Sequence, residues 1–269
     1  MLSINQVYQM DALSLLKQCD DNSIDLVFVD PPYNLGYAYD NHKDNMPDQA
    51  YYEWCYQWLD ESARVLKPTG SLFVLNLPRH AVLLAAHLHQ TMVFQHWIVW
   101  NAGSRSGNKP LKPDHYALLY YTKTDTFTTN EVRYPHKRCR NCNELIADYG
   151  GKKRNIHPYG PKISDVWADI GRAKKTERGQ HPCKLPERLV RRVIAFASNP
   201  RDVVLDFFGG MGTTALAARK LERQYIIGDI SEDYCNITRD LLRLPFSPRQ
   251  YKPETKTDDL PLFSIITQK

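Results

Sequence analysis

Short apolar runs alternate with amphipathic helical stretches along most of the chain, and this alternation limits the possible folds more than any other feature. Leu26-Val27-Phe28-Val29 is an uninterrupted apolar run of strand length, the pattern of a strand buried on both faces. It stops at Asp30-Pro31-Pro32, where two prolines end any ladder or helix. Residues 50–66 set Tyr51, Trp54, Cys55, Trp58, Leu59 and Leu66 on one helical stripe, a core face rather than a stacking platform. Lys67-Pro68-Thr69-Gly70 reads as the end of that helix. Ser71–Leu75 reads as the next strand, 79–91 as helix, and His96–Trp100 and Tyr116–Tyr121 as strands. The alternation resumes with a helix over 185–197, a strand at Val203–Asp206, a helix at Thr213–Leu221, a strand at Tyr225–Ile227 and a helix at Ser231–Leu244. Such a pattern predicts an α/β fold, a mostly parallel central sheet with helices on both faces.

Between about 123 and 183 the periodicity is lost, and the positive charge is concentrated there. The whole chain carries a net +5, but residues 133–192 alone hold sixteen Lys and Arg against six Asp and Glu. Residues 1–103 hold five against eleven. A basic block between acidic or neutral flanks predicts a polyanion-binding surface, with a solvated basic face as the alternative. We read 123–180 as an inserted region between two halves of one domain, 1–122 and 181–244, followed by a tail over 245–269. Lys152, Lys153, Arg154, Arg172, Lys174, Lys175 and Arg178 are the candidate phosphate contacts.

Composition excludes several classes. With 42% apolar and 24% charged residues, a disordered or collagen-like chain is excluded. No apolar run approaches the ~18 residues of a membrane span. The first residues, Met1-Leu2-Ser3-Ile4-Asn5-Gln6, lack the basic and apolar regions of a secretory signal. Six cysteines are too few for a disulfide scaffold, which predicts a reducing cytoplasm. Cys139-x-x-Cys142, with His136, His157 and Cys183, lacks a second paired motif, so no metal site is predicted.

Two segments carry chemistry. Asp30-Pro31-Pro32-Tyr33 sets a carboxylate, carbonyl acceptors and an aromatic ring at the C-terminal end of a buried strand, where open α/β sheets hold ligands. Such a rim suits a planar group bearing an NH2; the alternative is a plain strand-to-turn junction. The second is Asp206-Phe207-Phe208-Gly209-Gly210-Met211-Gly212-Thr213-Thr214, a glycine turn between strand and helix where a ligand can approach backbone N–H groups. Asp229, at the end of the following strand, is placed to accept from ribose hydroxyls. The absence of Gly-Lys-Ser/Thr excludes a P-loop.

Together these segments resemble the amino-methyltransferases of DNA, which methylate adenine N6 or cytosine N4 from S-adenosylmethionine. Asp30-Pro31-Pro32-Tyr33 matches the family's catalytic tetrapeptide, and the 206–214 loop is similar to its cofactor loop, with Phe207 and Met211 in place of Pro and Ser. His181-Pro182-Cys183-Lys184-Leu185-Pro186 resembles the segment before that loop. Asp11-Ala12 and Asn22–Leu26 resemble the lead-in to the catalytic strand. The catalytic motif precedes the cofactor loop, with the basic stretch between, as in the circularly permuted beta class. The resemblance implies a Rossmann-like methyltransferase fold with an inserted target-recognition region. It implies catalysis by Asp30, Pro31, Pro32 and Tyr33 on a base flipped out of duplex DNA. Asp11, His181, Pro182, Asp206, Phe208, Gly210, Gly212, Thr213, Thr214 and Asp229 are implied as the cofactor site. The Asp in first position favours adenine N6, with cytosine N4 second and an RNA substrate third. Pro182-Cys183 would suit a cysteine nucleophile, but it stands in the segment before the cofactor loop. A cytoplasmic, nucleoid-associated prokaryotic enzyme follows, monomeric or homodimeric, with a restriction endonuclease as a further partner. A dinucleotide-dependent oxidoreductase would leave Asp30–Tyr33 and the basic block unexplained; a DNA-binding regulator without catalysis would leave the tetrapeptide unexplained.

Overall fold

The computed structural model of the chain describes residues 2–39, 42–103, 111–134, 160–173 and 184–244. Eight strands form one sheet in the order β1-β10-β9-β2-β5-β7-β6-β8. These are β1 Gln6–Gln9, β2 Ile24–Val29, β5 Leu66–Asn76, β6 Val93–Trp100, β7 Tyr116–Thr122, β8 Val166–Trp167, β9 Val203–Asp206 and β10 Gln224–Asp229. Every neighbouring pair is parallel except β5–β7 and β6–β7. A short hairpin, β3 Ala38–Tyr39 and β4 His42–Lys43, lies apart from the sheet.

Period-two alternation along the central strands builds two cores. Val27, Val29, Leu72, Val74, Leu119 and Tyr121 face helices α1 (Ala12–Gln18), α2 (Asp48–Val65) and α3 (Pro78–Leu88). Leu26, Phe28, Phe73, Leu75, Leu118 and Tyr120 face α4 (Glu187–Ala197), α5 (Thr213–Lys220) and α6 (Glu232–Arg243). A strand with apolar side chains on both faces must be covered twice, so its sequence reads as an unbroken apolar run. Two of the helices, α1 and α6, start where a side chain satisfies a first-turn N–H group. Asp11 accepts from Ser14 N at 3.1 Å and Ser231 from Tyr234 N at 3.4 Å. Glu232 and Asp233 complement the positive end of α6.

Several expected boundaries change. The helix expected over 50–66 runs from Asp48 to Val65, and Lys67–Gly70 belong to the opening of β5 rather than to a helix end. They form an irregularity in the β2–β5 register, which steps from Ile24–Leu66 to Leu26–Ser71, and Lys67 Nζ holds both oxygens of Asp25 at 2.7 and 2.8 Å. The helix expected over 79–91 ends at Leu88, because the chain turns at His89 to Thr91 before β6. The helix expected from 185 begins at Glu187; Pro186 is its N-cap, where the missing N–H costs no helical hydrogen bond, and Leu185 lies outside. β1, α1, β8 and the β3–β4 hairpin are additions to the sequence reading. Within the stretch of lost periodicity, Val132, Trp167, Ile170 and Ala173 are buried, and β8 extends the sheet beside β6.

The topology places the ligand crevice. β2 and β9 are parallel neighbours at the sheet centre. From β2 the chain continues through α2 to β5 on one side; from β9 it continues through α5 to β10 on the other. Connections that diverge in this way leave a cleft beyond the C-terminal ends of the two strands.

Candidate active site

Both segments singled out from the sequence open onto that cleft. Its walls include Asp11, Asp30, Pro31, Pro32 and Tyr33 from one half, and Asp206, Phe208, Gly210, Met211, Thr213, Thr214 and Asp229 from the other. Asp30 follows β2 directly. Burial pushes its carboxyl up to about 7, the hydrogen bond from Tyr33 pulls it down, and the charge of Asp206 adds to the rise. The Tyr33 hydroxyl donates to Asp30 Oδ1. The Tyr33 ring lies 6.0 Å from Tyr116, which stacks on Trp100 at 5.1 Å.

Asp206 ends β9 and organises the glycine loop. Its Oδ1 accepts from Phe208 N at 3.0 Å and its Oδ2 from Thr214 Oγ1 at 2.6 Å. Burial raises its carboxyl to about 7. Asp229 ties the loop to the next strand end: Oδ2 accepts from Gly210 N at 2.8 Å and Oδ1 from Ser231 N at 2.9 Å. Gly210 has φ +47°, on the cleft wall. Gly212 lies behind the wall instead. A Cβ there would meet Thr238 Cγ2 at 2.4 Å, so its small size serves the contact of α5 with α6 rather than the approach of a ligand.

Trp54, Lys184, Leu185, Tyr37 and Tyr234 also line the cleft, and no site role was read for them from the sequence. Trp54 packs against the core, as the stripe predicts, and also lines the cleft. Tyr51 and Trp58 are fully buried, but Trp54 is half-buried and meets the cleft beside Phe208, with ring centroids 5.5 Å apart. One helical turn separates Trp54 from Trp58, and spacing alone does not say where a core face ends. Lys184 is the one cation among the described lining residues. His181 and Pro182 lie outside the described residues, as do Lys152, Lys153, Arg154, Lys174, Lys175 and Arg178. So do Cys139, Cys142, Cys183, His136 and His157. Arg172 is described: its guanidinium sits 6.0 Å from the Tyr116 ring and donates to Gly103 O at 3.1 Å. No group of three or more metal-ligating side chains occurs among the described residues.

Comparison with known families gives one decisive match: the family described as DNA methylase, N6_N4_Mtase, matches residues 24–240. The chain belongs to that family. This methylase is similar along most of its length to M.BamHI, a type II methyltransferase of Bacillus amyloliquefaciens, at 38% identity over 245 residues. The match covers 89% of this chain but only 57% of that relative. The type II methyltransferase M1.MboII of Moraxella bovis is 32% identical, with 88% of this chain and 95% of the relative covered. The DNA adenine methyltransferase YhdJ of Escherichia coli is 31% identical, with 83% and 78% covered. Among solved structures, the cytosine-N4-specific PvuII DNA methyltransferase has a TM-score of 0.64 at 18% identity, covering 93% of this chain and 90% of that one. The M1.HpyAVI–SAM complex has 0.61 at 21%, covering 89% and 99%. These two likenesses show the fold.

The chain is thus an S-adenosylmethionine-dependent DNA amino-methyltransferase of the N6/N4 type, and the cleft suits that cofactor. Its sulfonium and ammonium are cations, and four carboxylates line the walls: Asp11, Asp30, Asp206 and Asp229. Phe208 and Trp54 offer aromatic faces to a purine ring, and Lys184 offers a cation to a carboxylate.

Proposed function

We propose that this methylase is site-specific and acts on the N6 amino group of adenine flipped out of double-stranded DNA. One observation carries the reading: Asp30, at the end of the central strand β2, opens onto the same cleft as the glycine loop after β9. An exocyclic amino nitrogen is a poor nucleophile, because its lone pair is delocalised into the ring. Asp30 and the Pro31 carbonyl accept hydrogen bonds from the NH2 and favour a pyramidal nitrogen with a localised lone pair. Tyr33 stacks on the base. Its hydroxyl, bonded to Asp30 in the structure, gives way to the incoming amino group. A carboxylate raised to about 7 also suits the proton that the nitrogen sheds as it gains a substituent. S-adenosylmethionine supplies the electrophilic methyl group on sulfur. Orientation, not a covalent intermediate, carries the rate.

Adenine is favoured by the Asp at position 30 and by the relative named as an adenine methyltransferase. The order of catalytic and cofactor segments supports the permuted beta class. The region 123–180 would recognise the target, with Lys152, Lys153, Arg154, Arg172, Lys174, Lys175 and Arg178 on phosphates and His181 and Pro182 beside the cofactor. Work in the cytoplasm, as monomer or homodimer and alongside a restriction endonuclease, completes the reading, supported by the type II names of the relatives. No described helix is long and apolar enough to cross a membrane.

Tritiated S-adenosylmethionine with unmethylated duplex DNA or RNA tests the proposal. Label should enter the duplex. Asp30→Ala should slow transfer about 10^3-fold, while calorimetry shows cofactor affinity within about threefold of the parent, because the lost group acts on the base. Label entering RNA alone, or full transfer by Asp30→Ala, contradicts it.

A further inference from the structure

A directed chain of hydrogen bonds lies beneath the catalytic loop, and the mechanism above does not use it. Asn76, at the end of β5, accepts from Leu77 N through Oδ1 at 2.7 Å. A backbone N–H only donates, so this bond fixes the amide, and Nδ2 is the atom that faces Tyr51 Oη at 3.2 Å. Tyr51 Oη accepts that hydrogen and turns its own toward Pro32 O, 2.9 Å away. Tyr51 and Asn76 are fully buried, and burial holds the Tyr51 hydroxyl far above its ordinary pKa, so it remains a donor. The ring has little freedom, packed against Tyr52, Trp54 and His80 at centroid distances of 5.6, 6.0 and 5.0 Å.

Covalent geometry already restrains most of the loop. Pyrrolidine rings set φ at Pro31 and Pro32, and Asp30 and Pro31, each followed by a proline, are confined to extended backbone. The first torsion left open is ψ of Pro32. That torsion aims the Pro32 carbonyl and swings Tyr33, and the Tyr51 hydroxyl ties that same carbonyl to α2.

We infer that Tyr51 is a positioning residue for methyl transfer: its hydroxyl, directed by Asn76, fixes the Pro32–Tyr33 torsion and so the stance of Tyr33 and Asp30 toward the base. The inference rests on the function proposed above and names a residue that touches neither base nor cofactor. A merely structural tyrosine would affect stability and leave the chemical step alone.

The test compares single-turnover methylation of unmethylated DNA, cofactor affinity by calorimetry and melting temperature across four proteins. They are the parent, Tyr51→Phe, Asn76→Asp and the double variant. Tyr51→Phe keeps the ring and removes the tether; the chemical rate should fall roughly 10- to 100-fold, with cofactor affinity within about twofold of the parent. Asn76→Asp keeps every heavy-atom position and still accepts from Leu77 N, but once its buried carboxyl is ionised, in assays of all four proteins at pH ~9, it presents an acceptor to Tyr51. The tyrosine proton is then drawn from Pro32 to residue 76, so this variant should slow the same step although the hydroxyl is intact. The double variant should be no slower than the slower single, because both act through one bond. A parent-like rate in Tyr51→Phe, additive losses in the double, or losses that follow melting temperature and cofactor affinity would each overturn the inference. A parent that transfers no methyl group to DNA would take the proposed function down with it, and is read separately from the variants.

Discussion

At the residue scale, Asp30 and Asp206 share a cleft, are both raised to about 7 by burial, and have different tasks. Asp206 spends both oxygens on its own loop, whereas Asp30 is held by the Tyr33 hydroxyl, which the proposed mechanism has the substrate displace. The proposed mechanism needs Asp30 ionised to accept the amino proton, so kcat/KM should rise with pH through about 7 and level above it. An unperturbed carboxylate would give a flat profile above pH ~5. The Tyr33 bond lowers the Asp30 pKa, so Tyr33→Phe should move the midpoint upward. A midpoint that stays put or moves down would mean that another group titrates. Asp30 and Asp229 were legible in the sequence because each ends an apolar run, where carboxylates meet ligands. Lys184 and Trp54 were not. Lys184 stood inside the 181–186 segment that resembles the family's, but nothing there assigned its side chain a task, and a tryptophan at the margin of a helical stripe reads as core. Tyr51 has the opposite ambiguity: its ring is core, and only its hydroxyl reaches the loop.

At the scale of elements, the turn from β9 into α5 shows what a glycine spacing can and cannot say. The sequence assigned Gly210 and Gly212 alike to ligand approach. Gly210 does line the cleft, but Gly212, at φ +76°, is the left-handed N-cap of α5 and abuts Thr238 of α6. Gly212→Ala should therefore cost roughly 2 kcal/mol or more, from the left-handed backbone and the added methyl together. Thermal unfolding should show a loss of about 6 °C. Thr238→Ser removes the Cγ2 that an added Cβ would strike and keeps a hydroxyl for Gly210 O, so it should restore part of the loss. No loss in Gly212→Ala would remove the packing role. The short edge strands escaped the sequence for a related reason. β8 has two residues and β1 four, too few for a period to register against polar neighbours.

For the whole molecule, the order of strands explains why segments 176 positions apart, at Asp30 and Asp206, meet in one cleft. That alternation was legible because each central strand is apolar on both faces. The charge of the basic stretch was legible only in sum. Among its described residues, Arg133 and Lys162 pair with Glu131, and Arg188 and Arg192 pair with Asp169. Arg192 is buried, with Trp167 and Tyr134 rings 5.0 and 5.1 Å from its guanidinium. Arg188 and Arg192, on α4, hold Asp169 of the stretch, and Arg133 and Lys162 are engaged by Glu131, so a count of Lys and Arg overstates what faces a polyanion. If this arrangement methylates the amino group of adenine, the modified nucleoside will identify it. Unmethylated duplex DNA would be treated with the enzyme and S-adenosylmethionine, digested to nucleosides and resolved by mass spectrometry. N6-methyladenine is the predicted product; N4-methylcytosine as the sole methylated nucleoside would overturn the assignment to adenine.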